Sequence, residues 1–170
     1  MRSYLIVPSD FCKAGETVEG KAPVAELERL ASYCADATGE VARKVTGSID
    51  VYRKPRLLLE VSGEIRLVCQ RCLDAMPFRL DTRTSVVVAF SEDEADEIES
   101  GLEDDDSTEV VVSDGKVELM DLIEDEAMLA LPPSPRHDTC PDKTAGSWKE
   151  KKTSPFAVLG KLKGADGNKN

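Results

Sequence analysis

The chain of 170 residues is poor in aromatic side chains and has a single histidine, His137; only 5% of its residues are aromatic. A core built from its 41% hydrophobic residues must therefore be mostly aliphatic. The sequence has no run of about 18 apolar residues, so no transmembrane helix is expected. Its first eight residues lack an apolar segment long enough for a signal peptide. These absences predict a cytoplasmic protein made of one domain plus tails.

Positive charge is also scarce, because 22 Lys and Arg residues face 33 Asp and Glu residues, for a formal net charge of −11. This balance opposes broad electrostatic attraction to nucleic acid, since phosphate binding relies on Lys and Arg. Five cysteines in a reducing compartment do not form a disulfide framework. The sequence contains no glycine-rich phosphate loop, and no Ser or Cys nucleophile has an evident base near it. Nothing in the sequence requires an enzyme.

The charge is unevenly distributed along the chain. Residues 143–170 contain seven lysines against Glu150 and Asp166, a balance of +5, so residues 1–142 carry −16. A body this acidic suits a basic protein partner better than bare RNA; a solvated acidic surface is the plainer alternative. Beyond Pro141 the chain is polar and basic, and only 155–159 and Leu162 offer an apolar anchor. We expect this tail to be disordered.

Residues 40–90 alternate apolar and polar positions with a period of two, interrupted by Gly, Pro and Asp. This pattern predicts several short strands in an antiparallel sheet or a small open β-barrel. Two segments, 23–35 and 117–131, instead place apolar residues at helical spacing, and prolines follow the second. The sequence therefore predicts an α+β fold with two helices.

The most biased segment is 92–109, where eleven of eighteen residues are acidic and none is basic. Dense like charge repels itself, so the pattern predicts a disordered loop. It could act as a solvated spacer or bind a basic protein. The predicted organisation is one domain over 1–142, with 91–108 as its acidic flexible loop, and a basic flexible tail over 143–170.

The spacing of the cysteines indicates a candidate metal site. Cys69 and Cys72 are separated by two residues, and His137 and Cys140 repeat that spacing about seventy residues later. Three thiolates and an imidazole can close a tetrahedral zinc site, and a set with all four ligands from protein is structural rather than catalytic. Unliganded structural thiols are the main alternative. The other two cysteines, Cys12 and Cys34, have no partner at metal-binding spacing and are interpreted as small apolar residues.

Redox chemistry at Cys69 and Cys72 is a third possibility. A reactive thiol of that kind usually lies at a helix N-terminus, whereas Cys69 ends a strand-like run with no helix after it.

The strands around the two cysteines also carry several arginines. These arginines form a phosphate-binding patch if they share one face, and otherwise they pair with Asp74, Asp81 and similar groups. These arginines are Arg66, Arg71, Arg79 and Arg83.

Three segments in this order resemble the YceD family, the large ribosomal RNA subunit accumulation proteins. The first is Leu-Val-Cys-Gln-Arg-Cys-Leu at 67–73. The second is the predicted helix at 119–132, whose Glu-Asp-Glu motif is followed by Leu-Pro, together with Pro-Arg-His at 135–137. The third is Ser-Pro-Phe-Ala-Val-Leu-Gly-Lys-Leu-Lys at 154–163. The resemblance covers about 57–163. It implies a factor needed for accumulation of 23S ribosomal RNA. The family's Cys-x2-Cys maps onto Cys69 and Cys72, and its later His and Cys onto His137 and Cys140.

The sequence and the resemblance together predict a non-enzymatic ribosome biogenesis factor that supports synthesis, processing or stability of 23S rRNA. We expect it to meet the pre-ribosomal particle through a basic ribosomal protein, or through a limited arginine patch and the lysine tail; direct RNA contact stays open. Two alternatives remain. One is a small cytosolic thiol oxidoreductase that uses Cys69 and Cys72. The other is a zinc-stapled protein-interaction module without a ribosomal role.

Overall fold

The structure, a computed structural model, describes residues 4–51, 53–102 and 108–141. Met1–Asp138 forms one compact unit, and the chain from Thr139 onward belongs to a second unit, of which 139–141 are described. The predicted basic tail over 143–170 lies outside the described residues. The strands are β1 (Leu5–Ile6), β2 (Thr17–Pro23), β3 (Glu40–Ile49), β4 (Pro55–Val68), β5 (Ala75–Ala89), β6 (Thr108–Val112) and β7 (Val117–Glu118). The α-helices are α1 (Pro8–Ala14), α2 (Glu28–Tyr33), α3 (Glu92–Gly101) and α4 (Leu119–Leu129).

The main sheet has five strands in the order β2-β3-β4-β5-β6, and β1 pairs with β7 in a separate two-stranded sheet. Neighbours are antiparallel from β2 to β5, whereas β6 runs parallel to β5. The predicted α+β class is confirmed. The sheet is mixed rather than antiparallel and is not closed into a barrel, and the described residues contain four α-helices where the sequence predicted two.

Helix α3 corrects the prediction of a disordered acidic loop, because Glu92–Gly101 is helical; residues 103–107 lie outside the described part. Parallel neighbours need a crossover connection, and α3 lies in the connection from β5 to β6. The side chain of Ser91 caps the helix by accepting a hydrogen bond from the Glu94 N–H. Three acidic residues in its first turn also interact favourably with the positive end of the helix dipole. Local capping therefore offsets the like-charge repulsion.

The core lies on one face of the sheet, as the alternation along β4 requires. Every second residue of that strand except Gly63 is buried, and five of these are at most 2% exposed: Leu57, Leu59, Val61, Ile65 and Leu67. Helices α1 and α4 contact β4, and α2 contacts α4. The core is almost wholly aliphatic, as the composition predicted, with Phe11 its one fully buried aromatic residue among those described.

The two predicted helices are confirmed to different extents. Helix α4 fills most of the predicted 117–131 segment, which begins with the short strand β7. In the 23–35 segment, Pro23 ends β2 and Val24–Glu26 forms a 3-10 helix before α2. No helix in the described part of the chain is long and apolar enough to cross a membrane.

Candidate metal centre

Cys69 and Cys72 lie in the loop that joins the two longest strands, β4 and β5. The loop is a tight turn in which the Leu73 N–H donates to the Cys69 carbonyl over 2.9 Å, and the Cys69 N–H donates to the Asp74 carbonyl over 2.9 Å. Leu73 closes the turn in the left-handed backbone region, with φ of 62°. This geometry aims the two thiols of the Cys-x2-Cys pair at the same side of the hairpin tip.

The second half of the cluster follows α4. Prolines at 132, 133 and 135 cannot continue a helix, and the chain runs on without regular structure. The Gln70 N–H donates to the Pro135 carbonyl over 2.8 Å, which holds this segment against the hairpin tip. His137 comes two residues later, and its own N–H donates to the Cys69 sulfur over 3.4 Å. The hydrogen bond from the His137 N–H to the Cys69 sulfur therefore joins residues that are sixty-eight positions apart in the sequence.

One candidate ligand atom from each of Cys69, Cys72 and His137 lies within 4.8 Å of the other two. Cys140, the fourth candidate ligand, belongs to the second unit. The Cys72 sulfur is 3.3 Å from Nδ1 of His137. Zinc bonds of about 2.3 Å to sulfur and about 2.0–2.1 Å to nitrogen separate neighbouring donors of a tetrahedron by about 3.5–3.8 Å. The donors of Cys69, Cys72 and His137 are thus close enough to bind one metal ion with small adjustments of their side chains.

Cys69 is fully buried, with 0% of its surface exposed, whereas the other three members of the cluster are half-buried. Burial alone would raise the pKa of the Cys69 thiol. Hydrogen bonds from the backbone N–H groups of Cys72, His137 and Arg71, together with one from the His137 side chain, outweigh burial and lower that pKa to about 5. The site therefore favours a thiolate at neutral pH, which is the form that binds zinc.

The donor set fits a closed zinc site in its chemistry as well. Thiolate and imidazole are the ligands zinc prefers, and three thiolates with one imidazole are a common structural set. The N–H groups directed at the Cys69 sulfur are the outer hydrogen bonds that such thiolates need when they leave water. The cluster therefore has the composition and the proximity of a metal site.

Cys12 and Cys34 are not members of this cluster. Cys12 is buried in the core and its thiol donates to the Arg56 carbonyl over 3.4 Å, while Cys34 packs against the core from α2. Burial is the main cause that raises the pKa of each thiol, and Asp36 raises that of Cys34 further. Raised thiol pKa values are typical of inert structural cysteines.

The arginines of the strand region do not form an isolated basic patch. Arg66 pairs with Asp36 over 2.8 Å, Arg83 lies 3.8 Å from Glu60, and Arg79 lies 3.7 Å from Asp81. Arg71, in the metal loop, also has an interaction partner. For Arg66, Arg79 and Arg83 the structure thus matches the second interpretation of the sequence, in which the arginines pair with nearby carboxylates.

Two acidic residues of α4 have structural roles that the sequence reading missed. Glu124 is 6% exposed and accepts hydrogen bonds from the backbone N–H groups of Arg29 and Leu30, over 2.7 and 3.1 Å. Glu126 is 6% exposed and accepts hydrogen bonds from the hydroxyls of Thr82 and Thr84. Both carboxylates therefore tie α4 to other elements instead of facing solvent.

The burial of Glu126 could have been predicted from its position in the sequence. It follows Leu122 and Ile123 by four and three positions, so it falls on the same helical stripe as those apolar residues. An acidic residue on an apolar stripe indicates a buried, hydrogen-bonded carboxylate. Its partners, the two threonines, alternate along β5 on the core-facing side.

Comparison with known proteins agrees with the resemblance seen in the sequence. A model of the family described as "Large ribosomal RNA subunit accumulation protein YceD" matches residues 57–163, which include the four members of the cluster and all of α4. A curated relative from Haemophilus influenzae with the same description is 29% identical over 151 residues, covering 81% of this chain and 82% of the relative. No solved structure matches the chain significantly.

Proposed function

The chain belongs to the YceD family, the large ribosomal RNA subunit accumulation proteins, and from this premise we propose that it supports accumulation of 23S rRNA as a non-catalytic binding protein of the cytoplasm. The observation that carries the proposal is the family match over 57–163, supported by a relative similar over four-fifths of its own length. Synthesis, processing and stability of 23S rRNA are the steps on which such a factor can act. The cluster at the hairpin tip then serves the fold.

Deletion of the gene in its own organism tests this role. We expect 23S rRNA to fall relative to 16S rRNA, because the factor supports only the large-subunit RNA. Re-expression of the chain from a plasmid should restore the ratio and serves as the control. An unchanged ratio of 23S to 16S rRNA in the deletion strain would refute the proposed role.

For the cluster, we propose a single structural Zn²⁺ held by Cys69, Cys72, His137 and Cys140. Four protein ligands leave no open coordination position for a substrate. Bound zinc would fasten the β4–β5 hairpin tip to the segment after α4, two parts of the chain far apart in sequence. The N–H groups around the Cys69 sulfur and the 3.3 Å approach of Cys72 to His137 support this assignment.

A thiol oxidoreductase is the competing function, and the lowered pKa of Cys69 is the observation that favours it. Two observations oppose it: the Cys69 sulfur belongs to a fully buried residue, and the turn that holds it does not begin a helix. An attacking thiolate needs access to its substrate. We therefore expect the protein to show no dithiol-dependent reduction of insulin; turnover abolished by Cys69→Ser would favour the oxidoreductase.

The partner we propose is a basic protein of the pre-ribosomal particle. The net charge of −11 supports this, and α3 adds exposed carboxylates on a helix that projects acidic side chains to solvent. Association of this kind weakens steeply with salt. Co-sedimentation of the protein with large-subunit precursors should therefore decrease as the salt concentration rises, and replacing Asp96 and Glu97 with Asn and Gln should weaken it at low salt. Salt-independent co-sedimentation would contradict an electrostatic partner.

A further inference from the structure

Arg43 occupies an unusual place on the sheet. It lies on β3 between Val41 and Val45, both 1% exposed, and residues two apart on a strand share a face. Arg43 therefore points to the same face of the sheet as the core. Its neighbour across the strand pair is Gly20, whose missing side chain leaves room for the guanidinium.

The charge of Arg43 is not neutralised by any carboxylate among the described residues. Its Nη1 atom is buried without a hydrogen-bond partner, and its Cζ atom lies 5.3 Å from the centre of the Tyr4 ring. Six other Lys and Arg side chains pair with Asp or Glu: Arg29, Lys44, Lys54, Arg66, Arg79 and Arg83. In so acidic a protein, an unpaired and partly buried guanidinium is a donor that lacks its acceptor.

The guanidinium faces a cavity of about 320 Å³ whose walls include Tyr4, Lys21, Glu26, Arg43 and Met120. The Arg43 guanidinium, the Glu26 carboxylate and the Tyr4 phenol are thus ionisable groups of its walls. Lys21 is exposed and follows Gly20 on β2, so its side chain lies on the opposite face of the sheet from Arg43. The volume is roughly that of ten water molecules in the liquid. The cavity can therefore hold a small polyatomic anion together with some water.

We propose that this cavity binds a phosphate group, with Arg43 as the anchoring cation. A guanidinium presents a planar fork of donors that matches the oxygens of a phosphate. A tetrahedral oxyanion supplies the acceptor that Nη1 lacks. Glu26, also in the wall, favours a ligand that carries a hydroxyl beside its phosphate. The source is either a small phosphate compound or the phosphodiester backbone of RNA.

Titration of the full-length protein with inorganic phosphate, followed by NMR, tests the proposal. Sodium chloride of equal ionic strength is the reference. We expect saturable shifts in the backbone signals of Tyr4, Lys21 and Arg43 and in the Arg43 Nε–H signal. Arg43→Met should weaken phosphate binding about tenfold or more. Lys44→Met is the matched control, because Lys44 is the next residue on β3, outside this cavity, and should leave binding within about twofold of wild type.

A competition experiment with RNA identifies the source of the phosphate. A short single-stranded RNA that displaces inorganic phosphate from these signals assigns the site to RNA, and RNA that leaves the signals unchanged assigns it to a small phosphate compound. The absence of saturable shifts in the wild-type protein would overturn the proposal, as would equal affinity in a folded Arg43→Met variant. If that variant does not fold, Arg43→Lys replaces it, because lysine keeps the charge without the planar fork of donors. Unweakened phosphate binding in that variant would count against the site. The ribosomal role can hold or fail independently of these results.

Discussion

A buried carboxylate, Glu124, caps the start of α2 from a distance of ninety-four positions in sequence. One of its oxygens accepts the N–H groups of Arg29 and Leu30, and the other accepts from Nε of Arg29 over 3.0 Å. Helix α2 begins at Glu28, and no side chain of its own N-cap residue accepts a hydrogen bond from it. The first turn of α2 is therefore satisfied by a side chain from α4.

Replacing this carboxylate tests its role. Glu124→Gln puts an amide N–H where an oxygen now accepts, so we expect the free energy of unfolding to fall by about 1–3 kcal/mol. Asp125→Asn is the matched control, because Asp125 contacts the same Arg29 but its side chain is 51% exposed; its effect should stay within about 0.5 kcal/mol. Urea denaturation measures both. Equal losses of unfolding free energy in the two variants would show that the contact with Arg29, rather than the burial of Glu124, decides the effect.

Gly63 marks a place where the backbones of β3 and β4 approach closely. A Cβ atom there would lie 2.5 Å from the Glu40 carbonyl oxygen and 3.2 Å from the Cα of Val41. Neither backbone atom can move without disturbing the strand pair, so Gly63→Ala should lower the free energy of unfolding by about 1–3 kcal/mol. Gly101→Ala, with open space around the new Cβ, is the control and should be neutral or stabilising. Thermal unfolding of the two variants distinguishes these outcomes.

At the residue scale, sequence spacing was enough to predict the candidate ligands but not the buried acids. A Cys-x2-Cys and a His-x2-Cys are short-range patterns whose chemistry constrains their geometry, and the structure brings Cys69, Cys72 and His137 together. The environment of Glu124 depends on α2, which is distant in sequence. Only the fold can therefore show that this carboxylate faces two backbone N–H groups.

Helix α3 shows at the scale of an element how local capping decides a structure that composition alone predicts wrongly. Its acidic composition suggested disorder, yet Ser91 and Glu94 stand at the spacing of a capping box, Ser-x-x-Glu. Ser91 accepts from the Glu94 N–H, and the Glu94 carboxylate accepts from the Phe90 N–H over 2.6 Å. That four-residue signal was available in the sequence and outweighs the charge density.

Glu94 also pairs with Lys54, in the residues just before β4. The Lys54 ammonium, and then the Phe90 N–H, lower the pKa of Glu94 from its ordinary value of 4.5. A lowered pKa in the folded state means that ionised Glu94 stabilises the fold above its ordinary pKa. This stabilisation is lost as the pH falls through the folded-state pKa.

The corresponding prediction concerns Glu94→Gln. Near neutral pH the variant should be less stable than wild type by about 1 kcal/mol, since both partners are partly exposed and solvent weakens the pair. This difference should shrink as the pH falls below 4.5, and it should be lost as the pH falls through the lowered pKa at which folded wild-type Glu94 gains a proton. Glu99→Gln on the same helix is the control and should show little difference at any pH. A stability difference between wild type and Glu94→Gln that stayed constant with pH would show that the charge of the Glu94 carboxylate does not contribute to stability.

At the scale of the whole molecule, the fold joins a long β4–β5 hairpin to helices that pack against the sheet. The sequence predicted the class and the region of the three longest strands, β3 to β5, because half-buried strands alternate apolar and polar residues. It could not predict the parallel pairing of β6 with β5, since the order of strands depends on the crossover through α3. The open sheet with edges at β2 and β6 follows from that order in the described part of the chain.

The proposed zinc site and the proposed partner surface would be two separate parts of one small protein. Neither proposal involves Cys12, a residue of the core, or Cys34, which packs against the core. The family match rests in part on the Cys-x2-Cys pair and on α4, and Glu124 and Glu126 of α4 tie that helix to other elements. A family assignment from sequence therefore does not by itself locate a surface that contacts a partner.

Metal content of the full-length protein, purified under reducing conditions, tests the proposed zinc staple most directly. We expect about one zinc ion per chain. Cys69→Ser and Cys140→Ser should lose it, and Cys34→Ser, outside the cluster, should keep it. Parent protein without bound metal, or zinc retained at the same stoichiometry in both cluster variants, would contradict the account.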